Sequence, residues 1–317
     1  MRIERSDFLL PFQLKELGIR GRLVRLGTVA DQVVAGHGYP DEVGGLLSQS
    51  LALTAVMAGA LKYDGVFSLQ TKGDGPVSMI VADVTSEGEM RGYASFDAAR
   101  LHGTAESGAH RAGTVLRSVP KLLGAGYLAF TVDQGPDTER YQGIVELAGA
   151  TLADCARQYL RQSEQIAAGL HVAASKNGNG HDRAHWRAGA MMLQRLPSAG
   201  GPEPGEAGAD DEETDDHWRR ACILLASLTD RELLSPDLTP ERLLLRLFPE
   251  DSVTVFESRP LVHRCRCSRQ RVERALAAIP FDELSSLQID GRIEVRCQFC
   301  NAAYEFDETD LEDLPQM

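Results

Sequence analysis

Two short cysteine pairs near the C-terminal end constrain this chain more than any other feature. Four of its six cysteines fall there, as Cys265-Arg-Cys267 and Cys297-Gln-Phe-Cys300, with twenty-nine residues between the pairs. Two close pairs separated by a small subdomain's worth of chain is the layout of a tetrahedral zinc site with four sulfur ligands. In an extended segment residues i and i+2 share a face, so Cys265 and Cys267 can point at one metal together. The Cys-x-x-Cys pair fits a metal knuckle, a tight turn that aims both sulfurs inward. Asn301, which follows it, tolerates the left-handed conformation such a turn often needs.

The residues between the pairs can build a scaffold. Ser268 can cap a helix with Val272, Ala275, Leu276 and Ile279 as its apolar stripe, ended by Pro280. Asp282 can cap a second short helix presenting Leu284 and Leu287. Asp290-Gly291 turns into a strand, Ile293–Val295, and a returning strand carries Tyr304 and Phe306 on one face. A module this small buries little core, so metal binding would supply much of its folding free energy. Arg259, Arg264, Arg266, Arg269, Arg271, Arg274, Arg292 and Arg296 crowd the same stretch. Cations near thiols favour the thiolate, which is both the metal ligand and the form that oxidants attack. A sulfur-only site with these neighbours reads as a peroxide sensor: oxidation would join sulfurs, expel zinc and unfold the module. The plainer alternative is an inert structural zinc. His263, two residues ahead of the first cysteine, is a spare ligand candidate.

At 317 residues the chain accommodates one substantial domain plus a smaller module, and 43% hydrophobic content permits a real core. A net charge of −13 argues against a nucleic-acid binder, which needs a basic surface. The charged N-terminus, Met-Arg-Ile-Glu-Arg-Ser-Asp, lacks the apolar core of a signal peptide, so a cytoplasmic protein with reduced thiols is expected and a disulfide framework is not. The apolar run Leu51 to Leu61 is too short to cross a bilayer.

The fold class read from the chain is α+β: an N-terminal mixed sheet-plus-helix domain, a helical linker and a small C-terminal zinc-binding domain. Residues 1–198 form the first part. Strands are expected at Arg22–Leu26, Val66–Thr71, Val77–Ala82, Met90–Ser95, Tyr127–Val132, Tyr141–Leu147, Leu170–Ala174 and Ala190–Leu196. A short helix capped by Thr28 follows the first strand, a long helix opens at Tyr39-Pro-Asp41 and runs through Leu61, and another spans about Thr151 to Gln165. Gly73-Asp-Gly-Pro76 reads as a hairpin turn, since it lacks the lysine-serine ending of a phosphate loop. Cys155 reads as a buried apolar residue. His181 and His185 sit in a glycine- and asparagine-rich loop and read as solvent-facing. Arg140-Tyr-Gln-Gly143 is distinctive but suggests no chemistry. No catalytic constellation appears, and the chain does not read as an enzyme.

Residues 199–216 lose their apolar character and end in Asp210-Asp-Glu-Glu-Thr-Asp-Asp216, read as an acidic flexible connection. Residues 217–258 read as a helical, redox-sensitive linker, and 259–317 as the zinc domain. In the linker, His217–Leu228 carries Ala221, Cys222, Leu224, Leu225 and Leu228. Thr229-x-x-Glu232 is a capping box, and Thr239-Pro240 opens a helix bearing Leu243, Leu244, Leu247 and Phe248. That last helix is apolar on nearly every side except Arg242 and Arg246, so it must be covered at rest. Leu224, Leu225, Leu228, Leu243, Leu244, Leu247 and Phe248 are therefore the side chains that uncovering would bare, and the candidates to bind an apolar partner.

At these residues the sequence resembles the 33 kDa chaperonin family, the bacterial redox-regulated heat-shock holdases. The resemblance is carried by Cys265-Arg-Cys-Ser-Arg, Ile279-Pro280, Asp290-Gly291, Cys297-Gln-Phe-Cys300 and Tyr304-x-Phe306. The first domain adds Arg20-Gly21, His37-Gly-Tyr-Pro40, Leu61-Lys-Tyr-Asp-Gly65, Gly73-Asp-Gly-Pro76, Met90-Arg-Gly92, Gly126-Tyr127, Glu139-Arg-Tyr-Gln-Gly143 and Arg161-Gln-Ser-Glu164. The acidic segment is longer than the family pattern, and Asn301 stands where glycine is usual. The resemblance implies that reduced Cys265, Cys267, Cys297 and Cys300 hold one Zn2+ and the chaperone is inactive. It implies that oxidation forms Cys265–Cys267 and Cys297–Cys300 disulfides, releases zinc and destabilises the linker. The opened protein would then bind unfolding client proteins without ATP, as a homodimer. Two rivals follow from the residues alone. A zinc-ribbon nucleic-acid binder with a structural metal would show steep salt dependence, which the acidic charge opposes. A thiol oxidoreductase using Cys297 and Cys300 would need a thioredoxin-like βαβ setting, which the flanking strands do not supply.

Overall fold

The computed structural model describes residues 6–102, 119–135, 138–177, 185–196, 209–286, 288–289, 291–307 and 309–310. The chain forms two compact units, Met1–His263 and Arg264–Met317. In the first, β1 (Phe8–Leu14) and β2 (Ile19–Leu26) lead to α1 (Thr28–Ala35) and the long α2 (Asp41–Ala58). Strands β3 (Val66–Gly73), β4 (Val77–Thr85) and β5 (Glu89–Phe96) precede a short α3 (Ala98–His102) and a π-turn at Val119–Leu123. Then come β6 (Gly126–Asp133), β7 (Tyr141–Glu146), α4 (Leu152–Gln162), β8 (Ala168–Asn177) and β9 (His185–Arg195). Helices α5 (Ala209–Ala226), α6 (Asp230–Leu234) and α7 (Pro240–Leu247) follow, and β10 (Val253–Val255), β11 (Arg259–Pro260) and β12 (Val262–His263) complete the unit.

Two antiparallel-rich sheets enclose α2. One runs β10-β1-β2-β9-β8, with β11 also on β1, and the other β12-β5-β4-β3-β6-β7. Helix α2 is buried from Val43 to Ala58. Two of its buried hydroxyls are satisfied within the helix: Ser50 Oγ donates to the Leu46 carbonyl and Thr54 Oγ1 to that of Ser50. The sequence places Thr28 as the cap of α1, but Gly27 holds that position. The work of the cap is done from just ahead of β1, where the Asp7 carboxylate accepts from the amides of Gly27, Thr28 and Val29.

The first sheet is covered on both faces. Val24, Leu26, Ala190 and Met192 face the α2 core, while Phe8, Leu10, Phe12, Leu14, Leu23, Met191 and Leu193 face a second core. Helices α5–α7 close that second core with Leu225, Leu228, Leu233, Leu243, Leu244, Leu247 and Phe248. The strands make room for them: a Cβ on Gly189 would fall 2.9 Å from Leu233 Cγ, and one on Gly169 2.9 Å from Leu225 Cδ2. Arg25 ties the sheet to the linker, donating to the carbonyls of Leu238 (2.6 Å) and Glu232 (3.1 Å).

Residues 253–263 then stitch the edges of both sheets. β10 and β11 pair with β1, and β12 lies parallel to β5. Between β10 and β11 the chain passes Pro11, whose carbonyl accepts from the Phe256 amide at 3.0 Å. A residue's amide and carbonyl point the same way across a strand, so the nitrogen without a hydrogen also faces this outer edge.

Two expectations change here. Residues 209–216 of the expected acidic flexible connection (199–216) are helical, forming the first half of α5; 199–208 lie outside the described residues. Acidic side chains in the first turns of a helix oppose its positive dipole end and favour it. The chain also divides after His263 rather than at 258/259, because β11 and β12 are paired into the first unit. The linker helices share that unit's second core.

Candidate metal centre

The described residues of 264–317 are built around two helices and one hairpin. Ser268 caps α8 (Arg269–Leu276), its side chain accepting from the Arg271 amide. α9 (Phe281–Ser286) follows, opened by the Pro280 carbonyl, which accepts from the amides of Glu283 and Leu284. The strands β13 (Arg292–Arg296) and β14 (Ala303–Asp307) pair antiparallel, with Gly291 at φ 76° turning into the first. Leu276, Leu284, Ile293 and Phe306 are the buried core, with Val272, Ile279, Val295 and Tyr304 against them. Ala275, expected on the stripe, is exposed and Ala277 packs instead. Leu287 and Asp290 lie outside the described residues.

This scaffold brings Cys265, Cys267, Cys297 and Cys300 together, their sulfurs all within 4.8 Å of one another. Cys265 Sγ lies 3.7 Å from Cys297 Sγ, and Cys267 Sγ 3.4 Å from Cys300 Sγ. Zinc–sulfur bonds of about 2.3 Å in a tetrahedron put sulfurs about 3.8 Å apart, so the cluster has the size of a four-thiolate site. The knuckle closes as Asn301 donates to the Cys297 carbonyl (2.8 Å) and Cys297 to that of Ala302 (2.9 Å). Asn301 takes φ 60°, the left-handed turn its residue type permits.

The electrostatics call for a cation. Burial pushes the Cys300 thiol up, and the hydrogen bonds to the other three sulfurs push it further. Thiols gathered this way ionise together only if positive charge is supplied among them. Three of the local arginines are engaged elsewhere: Arg269 with Glu273 and Asp310 and over the Phe306 ring at 4.4 Å, Arg292 with Glu305, Arg296 with Glu294.

Tyr304 joins the site directly, a role its place on a strand face did not announce. Its hydroxyl donates to Cys267 Sγ at 3.1 Å, and that bond pushes the phenol up to about 12. A donor to a ligating sulfur spreads the thiolate charge and orients the ligand. Tyr304→Phe is expected to weaken zinc retention by about tenfold in chelator competition, with the fold of 264–317 intact. Retention within twofold of the parent would remove Tyr304 from the site.

The remaining candidates lie elsewhere. His263 is in β12 of the first unit and is not among the clustered ligand atoms. Leu225, Leu228, Leu243, Leu244, Leu247 and Phe248 are buried in the second core and Leu224 packs partly buried against it. Cys155 is buried, and burial pushes its thiol up. His185 meets Asp31 at 3.1 Å, while His181 lies outside the described residues. Gly73–Pro76 forms the expected hairpin between β3 and β4. No helix among the described residues is long and apolar enough to cross a membrane.

Comparison with known proteins points one way. A family model described as Hsp33 protein matches residues 7–307. A 33 kDa chaperonin of Caulobacter vibrioides is 37% identical over 303 residues, covering 95% of this chain and 95% of its own. A 33 kDa chaperonin of Pseudomonas fluorescens is 35% identical over 311 residues, covering 98% and 93%. Among solved structures, the crystal structure of the 33 kDa chaperonin (heat shock protein 33 homolog) of Thermotoga maritima matches with a TM-score of 0.75 and 22% identity. It covers 98% of this chain and 97% of that one, a likeness of fold.

Proposed function

The chain belongs to the Hsp33 family, and on that premise we propose that it holds unfolding polypeptides without ATP, silent while Cys265, Cys267, Cys297 and Cys300 bind one zinc ion and active once they are oxidised. The observation that carries this reading is the four-sulfur cluster at metal-binding spacing, following in the chain a linker whose leucines are sealed under a sheet face. Zinc, when bound, would supply the positive charge that holds four thiolates together.

The chemistry follows from the sulfurs. A thiolate attacks the peroxide O–O bond to give a sulfenic acid and hydroxide; a second thiol displaces water from it to close a disulfide. Each disulfide consumes one peroxide, yields one water and one hydroxide that takes a proton from solvent, and removes two ligands. The pairs assigned by the family resemblance are Cys265–Cys267 and Cys297–Cys300. In the closed site all four sulfurs lie within 4.8 Å of one another, so each cysteine has its pair partner close by once the metal leaves. Closing a loop of a few residues then costs less entropy than closing one of about thirty.

A unit with so small a core loses its fold with its metal. The stitch at 253–263 is held by strands of two or three residues and belongs to the low-stability end of the fold. An unfolded chain attached to it favours fraying, and fraying frees α7, then α6 and α5. Both newly bared surfaces, the linker leucines and the sheet face carrying Phe8, Leu10 and Phe12, would bind apolar segments of clients and support a homodimer. The acidic charge disfavours nucleic acid, and a cytoplasmic location suits thiols that must rest reduced.

The test titrates peroxide while following zinc release, binding of an apolar-surface dye and suppression of aggregation of a heat-unfolded enzyme. All three are expected to rise together and to reverse with reductant and zinc. Zinc release without new apolar surface, or holding activity with zinc still bound, would overturn the reading.

A further inference from the structure

A cavity of about 180 Å³ opens in the first unit between the ends of α2 and α4 and strands β3, β6, β7 and β9. Its body is apolar, with Met57, Phe67, Phe130, Leu160 and Met192 in the walls. A space of this size holds an aromatic ring. Residues from three stretches named above for the resemblance line the cavity: Leu61-Lys-Tyr63, Tyr141 and Glu164.

The polar end is built around Glu164. The hydroxyls of Tyr141 and Tyr159 both donate to its Oε1, at 2.7 and 2.5 Å. Gly143 makes this possible, since a Cβ there would fall 2.2 Å from the Tyr159 ring. Glu164 is held in place by the end of α4. Ser163 donates to the Tyr159 carbonyl and Ile166 to that of Leu160, and Gln165 between them takes φ 55°, a left-handed residue that is not glycine. That conformation has a cost in any side chain, and it directly follows Glu164, which lines the cavity.

Among the described residues no positive charge contacts this carboxylate. Glu164 Oε2 has no partner among the described residues, and the carboxylate sits at the negative end of α4, where a helix favours cations. Lys62 lines the rim with its side chain exposed and makes no ion pair among the described residues. A half-buried carboxylate with two donors on one oxygen, a helix dipole against it and aromatic walls is complementary to an organic cation.

We propose that this cavity binds a primary ammonium carried on an aromatic body, the ring between the apolar walls and the nitrogen on the free oxygen of Glu164. The site is separate from the cysteines and does not depend on the redox reading. The chemistry has two sources, a free arylalkylamine or the amino terminus of a polypeptide that begins with an aromatic residue.

Calorimetry on the full, reduced, zinc-loaded chain tests it with 2-phenylethylamine against 2-phenylethanol, which has the same shape and no charge. The amine is expected to bind at least about tenfold more tightly, and Glu164→Gln to remove that difference while leaving the alcohol unchanged. Should the Gln variant melt early, Lys62→Glu, at an exposed position, is expected to tighten the amine about threefold by adding rim charge. Phe-Gly-Gly amide separates the sources: binding as tight as the amine assigns a polypeptide terminus, weaker binding a free amine. Equal affinity for amine and alcohol, an unchanged amine affinity in Glu164→Gln, or no binding of either would overturn the assignment.

Discussion

Cys297→Ser is expected to release zinc and unfold residues 264–317 in the fully reduced protein. Serine offers zinc a hard, protonated oxygen in place of a thiolate, and the three remaining sulfurs cannot complete the tetrahedron. Structural zinc sites in small modules contribute about 10–16 kcal/mol of folding free energy. The core left to compensate is Leu276, Leu284, Ile293 and Phe306 with a few partly buried neighbours. Zinc affinity should fall by at least about a hundredfold in chelator competition, a drop of about 2.7 kcal/mol. Dye binding and partial suppression of client aggregation should then appear with no oxidant present. A variant that kept its zinc and stayed as silent as the parent would end the switch proposal.

Phe248→Ala should separate the two halves of that switch. Phe248 is fully buried, its ring 6.2 Å from that of Phe12, and its amide closes α7 on the Leu244 carbonyl. Removing such a ring from a core costs about 3–5 kcal/mol. The linker is held by one face of short helices, so this loss falls on the least stable part of the first unit. Reduced Phe248→Ala is expected to expose α5–α7 to hydrogen exchange and to bind dye while retaining zinc in full. Retained protection across 217–248 with a lowered melting temperature would mean that the linker is not a separable layer.

What the sequence made legible was what is local. The cysteine spacing, the Ser268 cap and the left-handed Asn301 are decided within a few residues, and the structure assembles them into one cluster. The long α2 and most strands announced themselves by periodicity. β1 did not: its Phe-Leu-Leu-Pro-Phe run is buried on both sides, which erases alternation, and Pro11 argues against a strand. β11 and β12 are two-residue pairings fixed by partners far away in sequence, so no local pattern marks them. Charge alone makes 209–216 look like a flexible connection, whereas helix formation depends on where the charge falls along the helix. Tyr141, Gly143 and Glu164 acquire a purpose only when β7 and the end of α4 are brought together.

The place of Pro11 has a consequence for any state in which the stitch has lifted. The strand then left at the rim offers a ladder with a missing rung, opposite the spot where Phe256 had docked. A holder of half-unfolded chains keeps company with the sequences most prone to zip into fibrils. With that rung absent, the bared rim is a poor template, and grip falls to side chains, which let a guest go.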